Sequence, residues 1–418
     1  MSAHVSRRHI LLPVTFFWVF FGLASVQPFV VLYLREEFGM SEVPAVTVLA
    51  SVYLILGVCR FFISTVIRRI GKKRTILLGV CGYVLFPVIL LFCSGFGTAM
   101  LASVSLGVGG ALLWTASSAQ VLDVSEKAAY GRAAGILQFF TTTGVLFGTF
   151  FYQFLIQHRD SGYGRAVLAG ANGIFHRLGG VRDLDSQYAV VFATGGLLGV
   201  VALASASLVP RVRTKVDAPS FREMIQFITS RERLFAPVIL MIQFATYGIM
   251  LTMVNQYIKA QPDGGEYYLK VHGCYLGAGV LVSYFAGTIS DRIGRKSTLF
   301  ACFGCAALGL FLFSMAGSFA GFAVAAGLLG VVFGGVQPVA LAYVGDISTP
   351  ENRPTVHAFV YAWRDFGLVA VCYIRIILDR SGVKPKATFI VFACVFLAVA
   401  LWMLVSARAE RRAATRPT

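Results

Sequence analysis

The sequence predicts an all-α membrane protein: twelve transmembrane helices in two pseudo-symmetric six-helix bundles. Three observations predict it. The composition is too apolar for a soluble core, the basic residues gather on one side of the alternating spans, and the two halves repeat at a constant offset.

Of the 418 residues, 57% are hydrophobic and 13% are charged, and the mean hydropathy is +0.76. Surface-to-volume scaling leaves a soluble domain too little interior to hide that much apolar surface. The apolar residues form runs that match a ~30 Å hydrocarbon core at ~1.5 Å per residue. Twelve such runs occur, approximately 10–34, 43–67, 75–95, 98–121, 131–156, 188–209, 234–257, 270–290, 297–317, 319–343, 355–378 and 387–407. Arg7 and Arg8 precede the first run, as in a signal peptide. Its length of about 25 residues exceeds a signal h-region and no small-residue cleavage site follows, so it is read as an uncleaved span.

The formal net charge is +17. With the N-terminus in the cytoplasm and sides alternating, cytoplasmic segments carry 23 Lys and Arg against 9 Asp and Glu. Outside segments carry 10 against 9, and the spans hold three Arg and one Asp. The excess therefore follows the positive-inside rule. The expectation is an integral protein of the plasma (inner) membrane with both termini cytoplasmic. The bases are scattered over seven short segments, which disfavours a nucleic-acid partner. Membrane lipid is the expected surrounding partner, and a monomer the expected state. The eight cysteines lie within or at the rims of apolar runs, with no disulfide framework and no metal-ligand spacing. Cys302 and Cys305 share a helix face and are read as packing residues. No Walker loop, haem motif, metal-ligand cluster or nucleophile–base set is found, so neither a cofactor nor an enzymatic activity is expected.

The segment GTISDRIGRK (287–296) aligns with STVIRRIGKK (64–73) at an offset of 223. Gly71 falls on Gly294, Arg69 on Arg292, Lys72 on Arg295 and Lys73 on Lys296. The same offset carries Asp123, Val124 and Ser125 onto Asp346, Ile347 and Ser348, Gly107 onto Gly330, and Gly144 onto Gly367. Two six-helix halves of parallel topology follow, related by an axis along the membrane normal. They span residues 1–209 and 234–418. Residues 210–233 form a cytoplasmic linker, in which Phe221, Ile225, Phe227 and Ile228 suggest a short amphipathic helix on the inner membrane surface. The glycine-rich outer segment 158–187 is about 22 residues longer than its counterpart and is read as a mobile insertion, with a partner-binding or gating role as the alternative.

Twelve spans in two halves, with G-x-x-x-D-R-x-G-R-K at Gly287, Asp291, Arg292, Gly294, Arg295 and Lys296, resemble the major facilitator superfamily. The Asp123 and Asp346 segments, followed by Arg132 and Arg353, are weaker echoes of that motif. Physically, Gly294 permits the tight turn and Gly287 a close helix approach. The three bases hold the loop at the headgroup level. The resemblance implies that Asp291 caps a helix of the opposite half, near Gly131 and Arg132, as a conformational latch worth ~0.3–2 kcal/mol. The first-half copy departs from the pattern, with Arg68 for the aspartate and Ser64 for the first glycine. The latch is therefore expected to be one-sided, with Arg68 repelled unless it pairs with Glu351.

Ionisable residues inside spans cost ~2.5–3.5 kcal/mol even on lenient scales, so each needs a reason. Arg60 lies in span two, roughly 10 Å deep at helical rise. Arg375 is explained by snorkelling and an i,i+4 pair with Asp379. Arg364 and Asp365 lie near the middle of span eleven, about 100° apart, and so are not expected to face one partner. The stretch Trp363–Gly367 resembles a W-R-D-x-G pattern of some bacterial members of the family. The pseudo-symmetric stretch is Thr141, Thr142, Thr143 and Gly144. One reading gives Asp365 a proton-coupling role with Arg364 on an anionic substrate; the other pairs Arg60 with Asp365 as an ion pair.

The resemblance implies a cavity lined by spans one, four, seven and ten. Its polar and aromatic candidates are Gln27 beside Pro28, Trp114, Gln243, Tyr247, Asn255 with Gln256, and Gln337 beside Pro338. Together with Arg60 and Arg364 these are the candidate substrate contacts. The function implied is secondary active transport of a small organic solute by rocker-switch alternating access. Three span arginines against one aspartate tilt it towards anions. Multidrug-like efflux and a non-transporting sensor on the same fold are the alternatives.

Overall fold

The computed structural model describes residues 10–177, 186–212, 216, 235–261 and 264–414. These residues form an all-helical chain whose elements run α1 (Leu11–Gly22), α2 (Gln27–Phe38), α3 (Glu42–Ile70), α4 (Lys72–Leu91), α5 (Phe96–Asp123), α6 (Tyr130–Gln157), α7 (Gly162–Arg177) and α8 (Ala189–Leu208). They continue with α9 (Phe235–Ile249), α10 (Asn255–Lys259), α11 (Gly264–Ile293), α12 (Arg295–Met315), α13 (Phe319–Ile347), α14 (Arg353–Arg380) and α15 (Pro385–Ala414). Among the described residues, eleven helical stretches are long and apolar enough to cross a membrane. The twelfth, α14, spans 28 residues. Arg364, Asp365 and Arg375 keep its hydropathy down.

Two of the spans are broken. A 3-10 turn at Ala24–Val26 separates α1 from α2, and Pro28 sits in the first turn of α2. Proline has no N–H to continue the α ladder through that turn, so the break falls where proline costs least. In span seven a π turn, Met250–Val254, joins α9 to α10. Pro338, in contrast, lies within an unbroken α13.

The chain divides into two compact units, residues 1–120 with 143–218, and residues 121–142 with 219–418. The end of α5 and the first turns of α6 thus belong to the second unit. Glycines set the packing distance inside each unit. A side chain at Gly107 would strike the Val52 carbonyl, and one at Gly330 the Tyr275 carbonyl. Val52 and Tyr275 are themselves 223 positions apart, so one contact recurs at the sequence offset. Gly144 lies against the Phe17 carbonyl and Gly367 against the Met241 carbonyl, the same relation displaced by one residue.

In the first unit Glu36, near the end of α2, accepts from the Tyr188 hydroxyl at 2.8 Å and from the Gln187 amide at 2.9 Å. Burial first, and then the Glu36 carboxylate, push the Tyr188 phenol up from its ordinary pKa. The segment beginning at residue 158 departs from its reading as a mobile insertion. Gly162–Arg177 is a 16-residue helix packed on α8, and the Tyr163 hydroxyl lies 3.2 Å from Thr194 Oγ1. Its apolar residues fall on one side, a pattern that the many glycines masked. Residues 178–185 and the expected linker helix at Phe221–Ile228 lie outside the described residues.

Candidate functional site

The turns at the two basic motifs share one backbone. Gly71 has φ 82° and ψ 159°, and Gly294 has φ 94° and ψ 152°. Both angles favour glycine, which carries no Cβ to clash. Each glycine is the N-cap of the next helix, and neither helix has a side-chain cap.

Around the second turn the charges are matched. The Asp291 carboxylate accepts from the backbone N–H of Gly131 at 3.0 Å and of Arg132 at 2.9 Å. These are first-turn amides of α6, which have no carbonyl partner within their own helix, and the carboxylate sits at the positive end of that helix dipole. Gly287 and Gly131 touch backbone to backbone, so a side chain on either would collide with the other's carbonyl. Arg295 bridges two acids, donating from Nη1 to Asp291 at 2.5 Å and from Nε to Asp346 at 3.0 Å. Its Nη1 also lies 2.7 Å from Ser290 Oγ. Arg292 is exposed.

A second, drier pair lies nearby in the same unit. Arg353 Nη1 donates to Asp123 at 2.6 Å, with both side chains only 3% exposed. Its Nη2 donates to the Tyr130 hydroxyl at 2.7 Å, and the guanidinium lies over the Tyr130 ring at 5.3 Å. In the first-half turn Arg68 is exposed, with no ion pair among the described residues.

In α14 the structure departs from the expectation that Arg364 and Asp365 face apart. Arg364 curls back so that Nε and Nη2 lie 3.0 and 2.9 Å from one Asp365 oxygen. The helical angle between neighbours fixes the direction of Cβ, but the arginine stem is long enough to return the guanidinium to the adjacent carboxylate. The side chains are 4% and 0% exposed. The Arg364 guanidinium also lies over the Phe244 ring at 4.5 Å and the Tyr361 ring at 5.4 Å, positions that favour a cation. Phe244 stacks on Tyr247, and Tyr247 on Phe333. Gln243 is buried on the same helix, and its Oε1 has no hydrogen-bond partner among the described residues. Gln337 is buried, and its backbone carbonyl accepts from Tyr361 at 3.2 Å. The side chains of Asn255 and Gln256 lie outside the described residues, as does that of Asp379. Arg375 itself is buried at 5% exposure.

The first unit holds the remaining candidates. Gln27 Oε1 accepts from the Tyr53 hydroxyl at 2.6 Å. Arg60 is fully buried and donates from Nη1 to Thr115 Oγ1 at 3.3 Å. Trp114, next to that threonine, packs edge-on against Phe16 and Phe20 at 5.1 and 5.4 Å. The structure therefore gathers Gln27 with Tyr53, Arg60 with Thr115 beside Trp114, and, in the second unit, Arg364 with Asp365, Phe244 and Tyr247. Sequence reasoning did not single out Phe244, Tyr361, His272 or His357. The two histidines are buried polar residues in apolar runs, and that alone was the available signal.

The family model of the Major Facilitator Superfamily matches residues 14–273 and again 238–418. The chain belongs to the major facilitator superfamily. Among solved structures, it superposes on the E. coli fucose:proton symporter with a TM-score of 0.72 at 14% identity, covering 95% of this chain and 98% of that one. It superposes on the human organic anion transporter MFSD10 with a TM-score of 0.69 at 12% identity, covering 95% of this chain and 100% of that one. At such identities the likeness is one of fold. A human relative, Protein unc-93 homolog A, is 38% identical over 101 residues, which is 24% of this chain and 20% of that relative. The superfamily and its fold support secondary transport of small molecules as the activity, carried out by an integral membrane protein.

Proposed function

We propose that this superfamily member carries a small organic anion by rocker-switch alternating access, coupled to protons through Asp365. The observation that carries the reading is the Arg364–Asp365 pair, buried in the middle of α14 and roofed by Phe244 and Tyr361. A buried ion pair is a costly way to fill space, and apolar residues usually serve stability as well or better. Protonating Asp365 takes the counter-charge from Arg364, whose guanidinium then needs another anion. A substrate carboxylate, sulfonate or phosphate meets that need, so proton and anion load together. The similar structures include one described as a proton symporter and one as an organic anion transporter, which fits this pairing at the level of fold.

In the same reading Asp291 and Arg295 are the latch, and residues 1–209 and 234–418 are the two moving halves with both termini in the cytoplasm. The working unit is a monomer in the plasma (inner) membrane. The rings of Phe16, Phe20 and Trp114 support a second reading, efflux of hydrophobic compounds. Counterflow into proteoliposomes separates the two. A panel of organic anions and lipophilic cations, each with and without a pH gradient, should show anion exchange strengthened by the gradient. Exchange of cations alone contradicts the anion reading.

A further inference from the structure

The apolar side of α7 is wider than the strip it turns towards the protein. Along that inner strip Gly164 and Ala171 are buried, and Val167 and Leu168 are half-buried. At helical spacing the adjoining strip carries Tyr163, Ala166, Gly170, Gly173 and Ile174. Tyr163 is 49% exposed and Ile174 58%, and a Cβ at Gly170 or Gly173 would meet nothing within 4 Å. Arg165 and His176 are exposed in a third, polar sector. A packed strip, an open apolar strip and a polar sector together suit a helix lying at a membrane boundary.

The attachments of α7 set its depth. The chain reverses as soon as α6 ends at Gln157. The Ser161 amide bonds to the His158 carbonyl at 3.0 Å, and the Gly164 amide to Ser161 Oγ at 3.3 Å. This turn leaves no slack to lift α7 away from the end of α6. The Tyr163 hydroxyl then lies 3.2 Å from Thr194 Oγ1. Thr194 is five positions inside the apolar span Ala189–Leu208, or about 7–8 Å along its axis. The first turn of α7 is thus held beside membrane-crossing backbone rather than above it. Phe154 in the last turn of α6 is 54% exposed, and Leu197, one turn beyond Thr194, is 60% exposed. The open strip of α7 therefore continues the lipid-facing surface of two spans.

We propose that α7 is embedded in the leaflet at the end where α6 finishes and α8 begins, with phospholipid acyl chains covering its strip from Tyr163 to Ile174. Its apolar strip lies among the chains, and Arg165 and His176 lie at the headgroups. The inference does not rest on the transport reading, since it concerns a lipid contact alone.

The test uses the full-length protein in vesicles of phosphatidylcholine and phosphatidylglycerol. A photoreactive benzoylphenylalanine is placed singly at position 166, 174 or 165, and at 197 as the lipid-facing reference. After illumination, covalent phospholipid adducts are counted by mass spectrometry, using only variants that melt with the parent. The expected yields at 166 and 174 match the reference at 197 and exceed that at 165 by at least about fivefold. Either position decides the case if the other variant does not fold. Adducts at 197 with none at 166 or 174 overturn the proposal, as do adducts at 174 to protein instead of lipid.

Discussion

Asp291 holds the head of α6 through the amide of Arg132, 2.9 Å from its carboxylate. The bond joins residues 159 positions apart in sequence, and Gly131 adds a second at 3.0 Å. Asp291→Asn keeps the shape but removes the charge from the helix dipole and from Arg295. The expected loss is about 1–2 kcal/mol, which shifts a two-state conformational equilibrium roughly 5- to 30-fold. Spin-label distances across the turn in purified protein read the populations. An unchanged ratio in Asp291→Asn, with a shift in Arg68→Ala, contradicts the one-sided latch.

Arg353 and Asp123 make a buried pair of a different kind, each 3% exposed. Removing one partner leaves an uncompensated charge in a dry site, at about 3–5 kcal/mol. Arg353→Gln and Asp123→Asn are each expected to lower the melting temperature in detergent by several degrees. The double variant is expected to lose less than the two losses added together, because no charge is stranded. Strict additivity in a double-mutant cycle contradicts the pairing.

The glycines of α13 give a paired test of packing. Gly334 lies against the Gly279 backbone, whereas a Cβ at Gly327 meets nothing within 4 Å. Gly334→Ala is expected to destabilise by about 1–3 kcal/mol through forced helix separation. Gly327→Ala is expected to be neutral or to stabilise by up to about 1 kcal/mol, since alanine suits a helix interior better. Thermal melts of the two variants, side by side, check the order.

Arg364→Lys preserves the charge but loses the planar contact with Phe244 and the two-nitrogen contact with Asp365. A lysine is a point charge with a differently hydrated head. Transport is expected to fall tenfold or more, with the larger change in apparent affinity for the anion. Initial uptake rates over a substrate series measure it, and parent-like kinetics contradict a role for the guanidinium geometry.

Much of the fold was legible because it rests on features that sequence displays directly. Gly71 and Gly294 sit at the same positive-φ turn, and the Val52–Gly107 contact recurs as Tyr275–Gly330 at the offset of the repeat. Pro28 marks a true break between α1 and α2, while Pro338 does not break α13. The ring of Pro338 alone does not decide that outcome. The π turn at Met250–Val254 left no trace, because four apolar residues and a threonine serve an α turn equally well. In the candidate site, periodicity gave the facing of each Cβ but not the end of a long side chain, so the curl of Arg364 onto Asp365 was missed. The partners Phe244 and Tyr53 were hidden for another reason. An aromatic residue in an apolar run looks like ordinary lining until the neighbouring helix is placed.

The central claim is that Asp365 carries the proton that accompanies the substrate. Its most direct test compares two measurements on Asp365→Asn in proteoliposomes: counterflow of a transported anion, and accumulation of that anion driven by an inward pH gradient. The account predicts that counterflow persists while gradient-driven accumulation is lost. Accumulation at the parent level in Asp365→Asn contradicts it.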